Sequence, residues 1–476
     1  MRQAGFISRS GVNVRTIVLI LVSLLVFSAC GESETDTTVA GLTSTPSAPA
    51  TTAPVPVEST VPAGPGTTTT TGSSTSTTST STTLVASVTV DPHLPAALSR
   101  DSIPWSEVGF GWSVVLFDSS KAAPTGPSDV REGPVVLYLV DTAGNRYEAA
   151  AWPSSNRPWS IADVRPDGTA AVVVGTGATL DDTTWTLVDI PTGSMQIVHS
   201  ASFPEVTYGW GRSVKLTRPT GANLVVYRSD GVNEWLERRS PAGAVLATLY
   251  TQPYVDAVGS LRWLYGHEGT TVLVAHHGGM AVVGNDGTPV AELWVPMDNM
   301  CEPTRWWDAD TFLATCYGRG PASAPLDEYG SPHTFYGRLW LLETDGTAGV
   351  PLTEYPADPL FVGDFGYSDA RPAGPDTLLQ WTGDCGAAQI ADLQADGTGS
   401  FIPISLPSTI VADGVAMIDV NVVAGLMTVY GWQGCAADVG ALFVTDLAGN
   451  YVSELVPVIG DARSVISARA LTPVYP

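Results

Sequence analysis

The amino-acid sequence predicts an all-β fold, a seven-bladed β-propeller preceded by a disordered stalk, with six or eight blades as the alternatives. Two ladders of reverse turns and one long polar segment carry this prediction. The 476 residues include 48 glycines and 36 prolines, and outside the N-terminal segment no window has the period of an amphipathic helix.

The first ladder consists of seven tight-turn glycines, each flanked by runs of alternating β-forming residues, a strong local signal for a β-hairpin. They are Gly144, Gly193, Gly243, Gly287, Gly346, Gly397 and Gly449. Their successive separations of 49, 50, 44, 59, 51 and 52 residues indicate a repeat of about fifty residues.

A second ladder of turns precedes each of these glycines by 18 to 36 residues. It lies near Gly111, Gly168, Gly221, Gly269, Asp310, Gly374 and Gly425. Two hairpins per repeat make four antiparallel strands, A to D, and seven such units predict a propeller. Residues 464–472 read as one further strand, which we expect to close the ring against the N-terminal blade.

The turn sequences PDGT at residues 166–169 and TDGT at residues 344–347 are informative about the class of propeller. They resemble the turns of bacterial periplasmic propellers with WD-like repeats, such as the Tol-system propeller. The resemblance covers residues 100–476 and implies the fold. It implies no function, because unrelated propellers share this turn chemistry.

The N-terminus has the parts of an export signal, a positive segment with three arginines followed by an apolar run over residues 17–27. That run is shorter than the roughly 20 residues of a transmembrane helix. Phe27-Ser28-Ala29-Cys30 resembles the lipobox of bacterial lipoproteins, although Phe27 stands where that family usually has an aliphatic residue. The resemblance implies cleavage before Cys30 and acylation of its thiol. The alternative is a plain secretory signal with an incidental cysteine.

A Thr/Ser/Pro-rich segment follows, and between residues 31 and 104 there is no Phe, Tyr, Trp or Lys. Such a segment cannot bury enough apolar surface to offset its ordering entropy. The predicted organisation is therefore a signal peptide at 1–29, a lipid-anchored disordered linker at 30–88 and a propeller at 89–476. As a flexible coil the linker spans on the order of 40–45 Å.

The charge excludes one class of partner. Residues 1–29 contain three arginines and no acid, so their removal changes the formal charge from −25 to −28. Such a surface repels phosphate backbones, and we expect no nucleic-acid partner.

Propeller connectivity predicts which face binds. The A–B and C–D turns emerge on one face, and the B–C and D–A connections on the other. The long connections, at 118–133 and 317–337 above all, belong to the second face. Because function usually lies on long loops carried by a rigid scaffold, we predict that this face binds.

Four cysteines other than Cys30 fall on the same predicted face. We predict the disulfides Cys301–Cys316 and Cys385–Cys435, as expected outside the cytoplasm. The alternative, a zinc site of four thiolates, lacks any C-x-x-C spacing.

Five tryptophans lie in or beside segments of the predicted binding face: Trp152, Trp159, Trp306, Trp307 and Trp432. Their rings could stack on sugars or anchor a protein partner. The alternative is that they cap the cores of the blades.

The sequence predicts no catalytic residue, no metal ligand and no cofactor. No G-x-S-x-G motif occurs, and no D-x-D-x-D-G loop supplies calcium ligands. His276 and His277 are adjacent on a strand, where neighbouring side chains point to opposite faces.

These observations predict an extracytoplasmic, membrane-anchored binding module whose partner is a protein, a cell-wall glycan or a small molecule. One alternative is a hydrolase or lyase acting on a glycan or lactone. Its carboxylates would line the central channel, with Asp163, Asp364 and Asp419 as candidates. Another alternative is a structural part of a larger envelope assembly.

Overall fold

The computed structural model describes the following stretches of the chain: residues 92–120, 133–153, 158–176, 182–202, 214–254, 261–266, 268–296, 300–318, 336–353, 367–373, 377–382, 389–394, 399–407, 414–433, 439–459 and 464–471. They contain 29 β-strands and one 3₁₀ helix, Arg100–Ser102. Within these stretches no helix is long and apolar enough to cross a bilayer.

The N-terminal strands are β1 (Leu98–Ser99), β2 (Ser113–Asp118), β3 (Val135–Val140) and β4 (Arg146–Trp152). Blade 1 consists of β5 (Pro158–Val164), β6 (Ala170–Thr176), β7 (Asp182–Asp189) and β8 (Ser194–Ser202). Blade 2 consists of β9 (Val214–Leu216), β10 (Leu224–Ser229), β11 (Asn233–Arg239) and β12 (Val245–Pro253). Blade 3 consists of β13 (Arg262–Tyr265), β14 (Thr271–His276), β15 (Gly279–Gly284) and β16 (Pro289–Leu293).

Blade 4 consists of β17 (Met300–Trp306), β18 (Thr311–Gly318), β19 (Tyr336–Glu343) and β20 (Val350–Pro351). Blade 5 consists of β21 (Tyr367–Pro372), β22 (Thr377–Thr382), β23 (Gln389–Gln394) and β24 (Gly399–Phe401). Blade 6 consists of β25 (Gly414–Asn421), β26 (Leu426–Gln433), β27 (Val439–Asp446) and β28 (Tyr451–Val456), and the last strand is β29 (Ser464–Ala470).

The seven sheets confirm the seven-bladed propeller. Blades 1 to 6 are four-stranded antiparallel sheets of consecutive strands, A to D. Blade 7 joins the chain ends in the order β1-β4-β3-β2-β29, so that β29 is its strand A. First strands of neighbouring blades contact one another, as β5 does with β29 and β9, which places them around the centre. The strand expected at residues 464–472 therefore closes the ring.

Packing between blades explains why some strands are apolar on both faces. All six residues of β3 are buried. Leu137 and Leu139 join the core shared with blade 1, whereas Val136 and Tyr138 join the core shared with blade 6. A strand covered on both faces has no solvent side, so it reads as a continuous apolar run. Each such large side chain contributes about 1.5–3 kcal/mol when fully buried.

The tight turns follow directly from local chemistry. The turns at Asp141–Asn145 and Asp446–Asn450 share the sequence D-x-A-G-N and the same hydrogen bonds. In the second, the backbone amides of Ala448 and Asn450 donate to Asp446 Oδ1 at 2.9 and 2.8 Å. Gly449 adopts φ of 85°, a conformation that glycine reaches without steric cost. The hydrogen bonds from Asn450 hold the pKa of Asp446 below its usual value.

Gln380, in strand B of blade 5, is a polar residue in an apolar interface. It is fully buried between Ala370 and Ala391 on the flanking strands, and neither amide atom has a hydrogen-bond partner among the described residues. Burying an unsatisfied polar group costs about 1–3 kcal/mol. We expect Gln380→Met, which keeps the length of the side chain, to raise the free energy of unfolding by about 1–2 kcal/mol. Urea titration measures the change.

Gln389→Met is the matched control, because Gln389 is exposed on the adjacent strand. It should change stability by less than about 0.5 kcal/mol. A loss of stability in Gln380→Met would show that the amide is satisfied in solution.

Candidate functional site

The strand bounds assign every described connection to one of two faces. The A–B and C–D turns emerge on one face, which we call the turn face, and the B–C and D–A connections on the other, the loop face. The intervals from Asp118 to Val135 and from Gly318 to Tyr336 each connect strands B and C. Both predicted insertions therefore belong to the loop face. Their interiors, 121–132 and 319–335, lie outside the described residues.

Three of the five predicted tryptophans lie at the loop face. Trp152 ends strand β4, Trp159 follows the first residue of β5, and Trp432 is the penultimate residue of β26. Trp152 and Trp432 are only 6% and 8% exposed, whereas Trp159 is partly exposed. Of these three, Trp159 therefore offers the most ring surface to a partner.

The placement of Trp306 and Trp307 on that face was wrong. Strand β17 is a strand A and runs from the loop face to the turn face, so Trp306 lies at its turn-face end and Trp307 follows in the A–B turn. The ring of Trp306 packs against Phe312, and its indole nitrogen donates to the carbonyl of Tyr265 in blade 3. Trp306 therefore takes the alternative role, packing between blades.

Cys301 and Cys316 are joined by a disulfide, as predicted. They are directly opposite each other on strands A and B of blade 4, at the loop-face end. Cys30, Cys385 and Cys435 lie outside the described residues, so acylation of Cys30 and the Cys385–Cys435 bridge remain predictions.

A belt of polar contacts joins neighbouring blades at or next to their first strands, which surround the centre of the ring. Three ion pairs and two hydrogen bonds to backbone carbonyls make up this belt: Arg218–Asp163 at 2.9 Å, Arg262–Glu302 at 3.3 Å, Arg371–Asp419 at 3.3 Å, Arg469 to Ile161 O at 3.2 Å and Lys215 to Trp263 O at 2.7 Å. Each contact joins adjacent blades, so the belt holds the inner strands in register around the channel.

Two of the three candidate channel carboxylates take part in this belt. Asp163 accepts hydrogen bonds from Arg218 and from the backbone amide of Leu216, and Asp419 pairs with Arg371. Burial raises the pKa of Asp419, and the charge of Arg371 opposes that shift. Both carboxylates are thus engaged by arginines of neighbouring blades rather than paired with each other. Asp364 lies outside the described residues.

The structure brings together a loop-face cluster that sequence reasoning missed, at the ends of strands B, C and D of blade 2. Glu234 is only 1% exposed. It accepts a hydrogen bond from the hydroxyl of Tyr227 at 2.9 Å and another from the amide of Gln252. Burial, reinforced by the charge of Glu234, raises the pKa of Tyr227.

Blade 3 extends this cluster through its adjacent histidines. The imidazole of His276 stacks on Tyr250 of blade 2, with ring centroids 5.1 Å apart, and its Nε2 lies 3.4 Å from Glu292 Oε2. His277 is exposed, and its backbone amide donates to Gln252 Oε1 at 3.0 Å. Within the described stretches no three His, Cys, Asp or Glu side chains are grouped to hold a metal ion.

One signal in the sequence could have indicated this cluster. Glu234 and Gln252 are directly opposite each other on strands C and D, and Tyr227 on strand B is two positions from the residue opposite Glu234, so the strand register brings the three side chains to one end of the blade. Their contact with His277 crosses from one blade to the next, and no local pattern predicts such a contact.

Comparison with known proteins gives similarity of fold only. No family model and no curated protein matches the chain. Among solved structures it is similar to TolB from Acinetobacter baumannii, with 12% identity, 75% of this chain and 67% of that chain covered, and a TM-score of 0.37. It is also similar to BamB from Moraxella catarrhalis, with 13% identity, coverage of 72% and 86%, and a TM-score of 0.38.

An oligogalacturonate lyase in complex with manganese is 14% identical, with 70% of this chain and 90% of that chain covered and a TM-score of 0.44. Similarities this remote carry no argument about binding or catalysis. The chain is a seven-bladed β-propeller on the pairing of its own strands.

Proposed function

We propose that this protein is an extracytoplasmic, lipid-anchored propeller that binds a protein partner on its loop face. The observation that carries the proposal is the asymmetry of the two faces. Tight turns occupy the turn face, whereas the two longest B–C connections and the cluster around Glu234 belong to the loop face. A rigid scaffold with long connections on one face is the usual arrangement of a binding surface.

The blade 2–3 junction has the composition of an interface. Val232, at the tip of the B–C turn of blade 2, is 69% exposed. His277, in the B–C turn of blade 3, is exposed as well. The buried network of Glu234, Tyr227 and Gln252 holds the ends of the strands that carry them. Exposed apolar and imidazole groups on a rigid, hydrogen-bonded base favour protein recognition.

The position at which the chain enters the propeller also supports the loop face as the binding face. Strand β1 pairs in parallel with β4, which begins at the turn face. Residues 92–97 therefore approach from the turn-face side of blade 7. A partner on the loop face would meet no obstruction from this entry segment.

Two matched double variants test the binding face. Trp159→Ala with Val232→Arg alters the loop face, whereas Phe110→Ala with Val423→Arg alters the turn face, where Phe110 is 49% and Val423 100% exposed. We expect the first to weaken partner capture from native membranes by at least about tenfold, the effect of losing roughly 1.4 kcal/mol. The second should leave capture unchanged. Quantitative mass spectrometry of crosslinked partners measures both.

Thermal unfolding of both variants controls for misfolding, and their midpoints should stay close to that of the wild type. If the turn-face variant loses the same partners, or the loop-face variant loses none, the assignment of the binding face is wrong.

The anchor is tested separately by Cys30→Ser. We expect this change to abolish incorporation of a labelled fatty acid into the protein, because the thiol that would carry the acyl group is absent. Ser28→Ala, which keeps the cysteine, should still incorporate the label. Incorporation of the label into Cys30→Ser at the wild-type level would rule out this thiol as the anchor.

A further inference from the structure

The segment of residues 92–112 lies across three blades before the first strand of the ring begins. Leu94 and Ala97 pack against the core between blades 6 and 7. Leu98 and Ser99 pair with strand D of blade 7. Ile103 is 6% exposed in the core between blades 7 and 1.

Arg146, the first residue of β4, fastens this segment to two blades at once. Its Nε donates to the carbonyl of Ala96 at 2.8 Å, and its Nη1 donates to the carbonyl of Leu455 in blade 6 at 2.7 Å. A single guanidinium of blade 7 therefore holds both the entering segment and the neighbouring blade. The rigid fork of arginine suits such a double contact.

Arg100 makes the corresponding attachment toward blade 1. Its Nη1 donates to the carbonyl of Ala149 at 3.2 Å and lies against Gly193 in the C–D turn of blade 1. A Cβ at Gly193 would fall 1.6 Å from that nitrogen, and the glycine has φ of +69°. The positive φ favours glycine at this position, and a larger residue would have to displace the guanidinium of Arg100.

The segment ends at the ring closure itself. Trp112 stacks on Tyr147 with ring centroids 5.8 Å apart, and its carbonyl accepts a hydrogen bond from the amide of Leu471 at 2.7 Å. Leu471 follows β29, the strand that closes blade 7. The entering chain and the closing strand thus meet at one junction.

We infer that residues 92–112 form a strap that clamps the closure of the ring and takes up load applied to the N-terminal end of the chain. Force on that end reaches β1 and the contacts of Arg146 before it reaches β2. The pairing of β2 with β29 is therefore shielded while the strap holds. This inference goes beyond partner binding and does not depend on which face binds.

Hydrogen exchange of the full chain tests the clamp. In Arg146→Met, which keeps most of the aliphatic stem, we expect amides of β2, β4 and β29 to exchange at least about tenfold faster, with those of β14 and β15 in blade 3 unchanged. Arg165→Met is the control, since its ion pair is with Asp167 of the same turn, and it should leave all these rates unchanged. Arg100→Met should reproduce the effect of Arg146→Met.

Pulling the full chain between its N-terminus and a handle at Val290→Cys, an exposed position of blade 3, tests the load. We expect a first extension step of at most roughly 70 Å, because about twenty residues extend by up to 3.6 Å each, less the distance that the folded segment already spans. The step should occur at lower force in Arg146→Met. Faster exchange throughout the protein, unchanged exchange at β2 and β29, or unfolding without a first step would each overturn the inference.

Discussion

A chain that ends at residue 463 is expected to lose the closed propeller, because it lacks β29. That strand pairs with β2 from Ser113–Ala470 to Asp118–Ser464 and supplies strand A of blade 7. Its residue Val465 is fully buried in the core shared with blade 6, and Leu471, which follows it, is buried in the core shared with blade 1.

The loss should amount to most of the stability of the domain. Each large buried side chain contributes about 1.5–3 kcal/mol, and removal of β29 also uncovers Val115 and Phe117, which are fully buried beside it. A domain has only about 5–15 kcal/mol in total. We expect no cooperative thermal transition, together with strong binding of a hydrophobic dye.

A chain ending at Leu471 is the matched control, since it loses only residues 472–476 and keeps β29. Its unfolding midpoint should stay within about 2 °C of the wild type. A cooperative transition of wild-type midpoint in the shorter chain would show that the ring holds without its closing strand.

The second large effect is expected from Asp419→Ala at the central channel. Asp419 is 4% exposed, and its Oδ1 lies 3.3 Å from Nη1 of Arg371. The Nη2 of the same arginine donates to the carbonyl of Ile418 at 2.9 Å. Removing one partner of a buried ion pair costs about 3–5 kcal/mol, because the remaining charge stays in a poorly solvated site. Urea unfolding at pH 7 measures the loss.

Two further variants distinguish the contribution of the ion pair to stability from the loss that any substitution can cause. Asp419→Asn keeps an oxygen acceptor for Arg371 and should lose less than half as much stability as Asp419→Ala. Arg165→Ala breaks a more exposed pair with Asp167 and should cost less than about 1 kcal/mol. Equal losses in all three variants would contradict a special role for the channel pair.

The raised pKa of Asp419 also fixes the sign of a pH dependence. Because burial makes the folded state bind this proton more tightly than the unfolded chain, the contribution of Asp419 to stability increases as the pH falls through its raised pKa. The increase is complete below the ordinary value of 3.8. The stability of the wild type relative to Asp419→Asn should therefore rise on acidification. A difference that is constant or falls would show that the pKa of Asp419 is not raised.

Local chemistry made much of the fold predictable. The D-x-A-G-N turns specify their own hydrogen bonds, and alternating or continuous apolar runs specify how strands are buried. The placement of Trp306 was wrong for a local reason. Trp306 directly precedes the A–B turn near Asp310, and a residue beside an A–B turn lies on the turn face.

The candidate functional site also contains some contacts that the sequence predicts and others that only the assembled fold creates. The disulfide between Cys301 and Cys316 was predictable, because the two residues flank one hairpin. The contact between His277 and Gln252 was not, because the partners belong to different blades. The unsatisfied amide of Gln380 was also hidden, since its burial depends on Ala370, Ala391 and the neighbouring blade.

By itself, the sequence determined the class of fold, the repeat of about fifty residues and the positions of the tight turns, because these depend on interactions within a few residues. Only the tertiary structure decided how the ring closes, which carboxylates are engaged by arginines and how the strap crosses three blades. Those features join residues such as Arg146 and Leu455, or Ser467 and Ile161, that are some three hundred positions apart. Their contacts exist only once the ring has brought its two ends together.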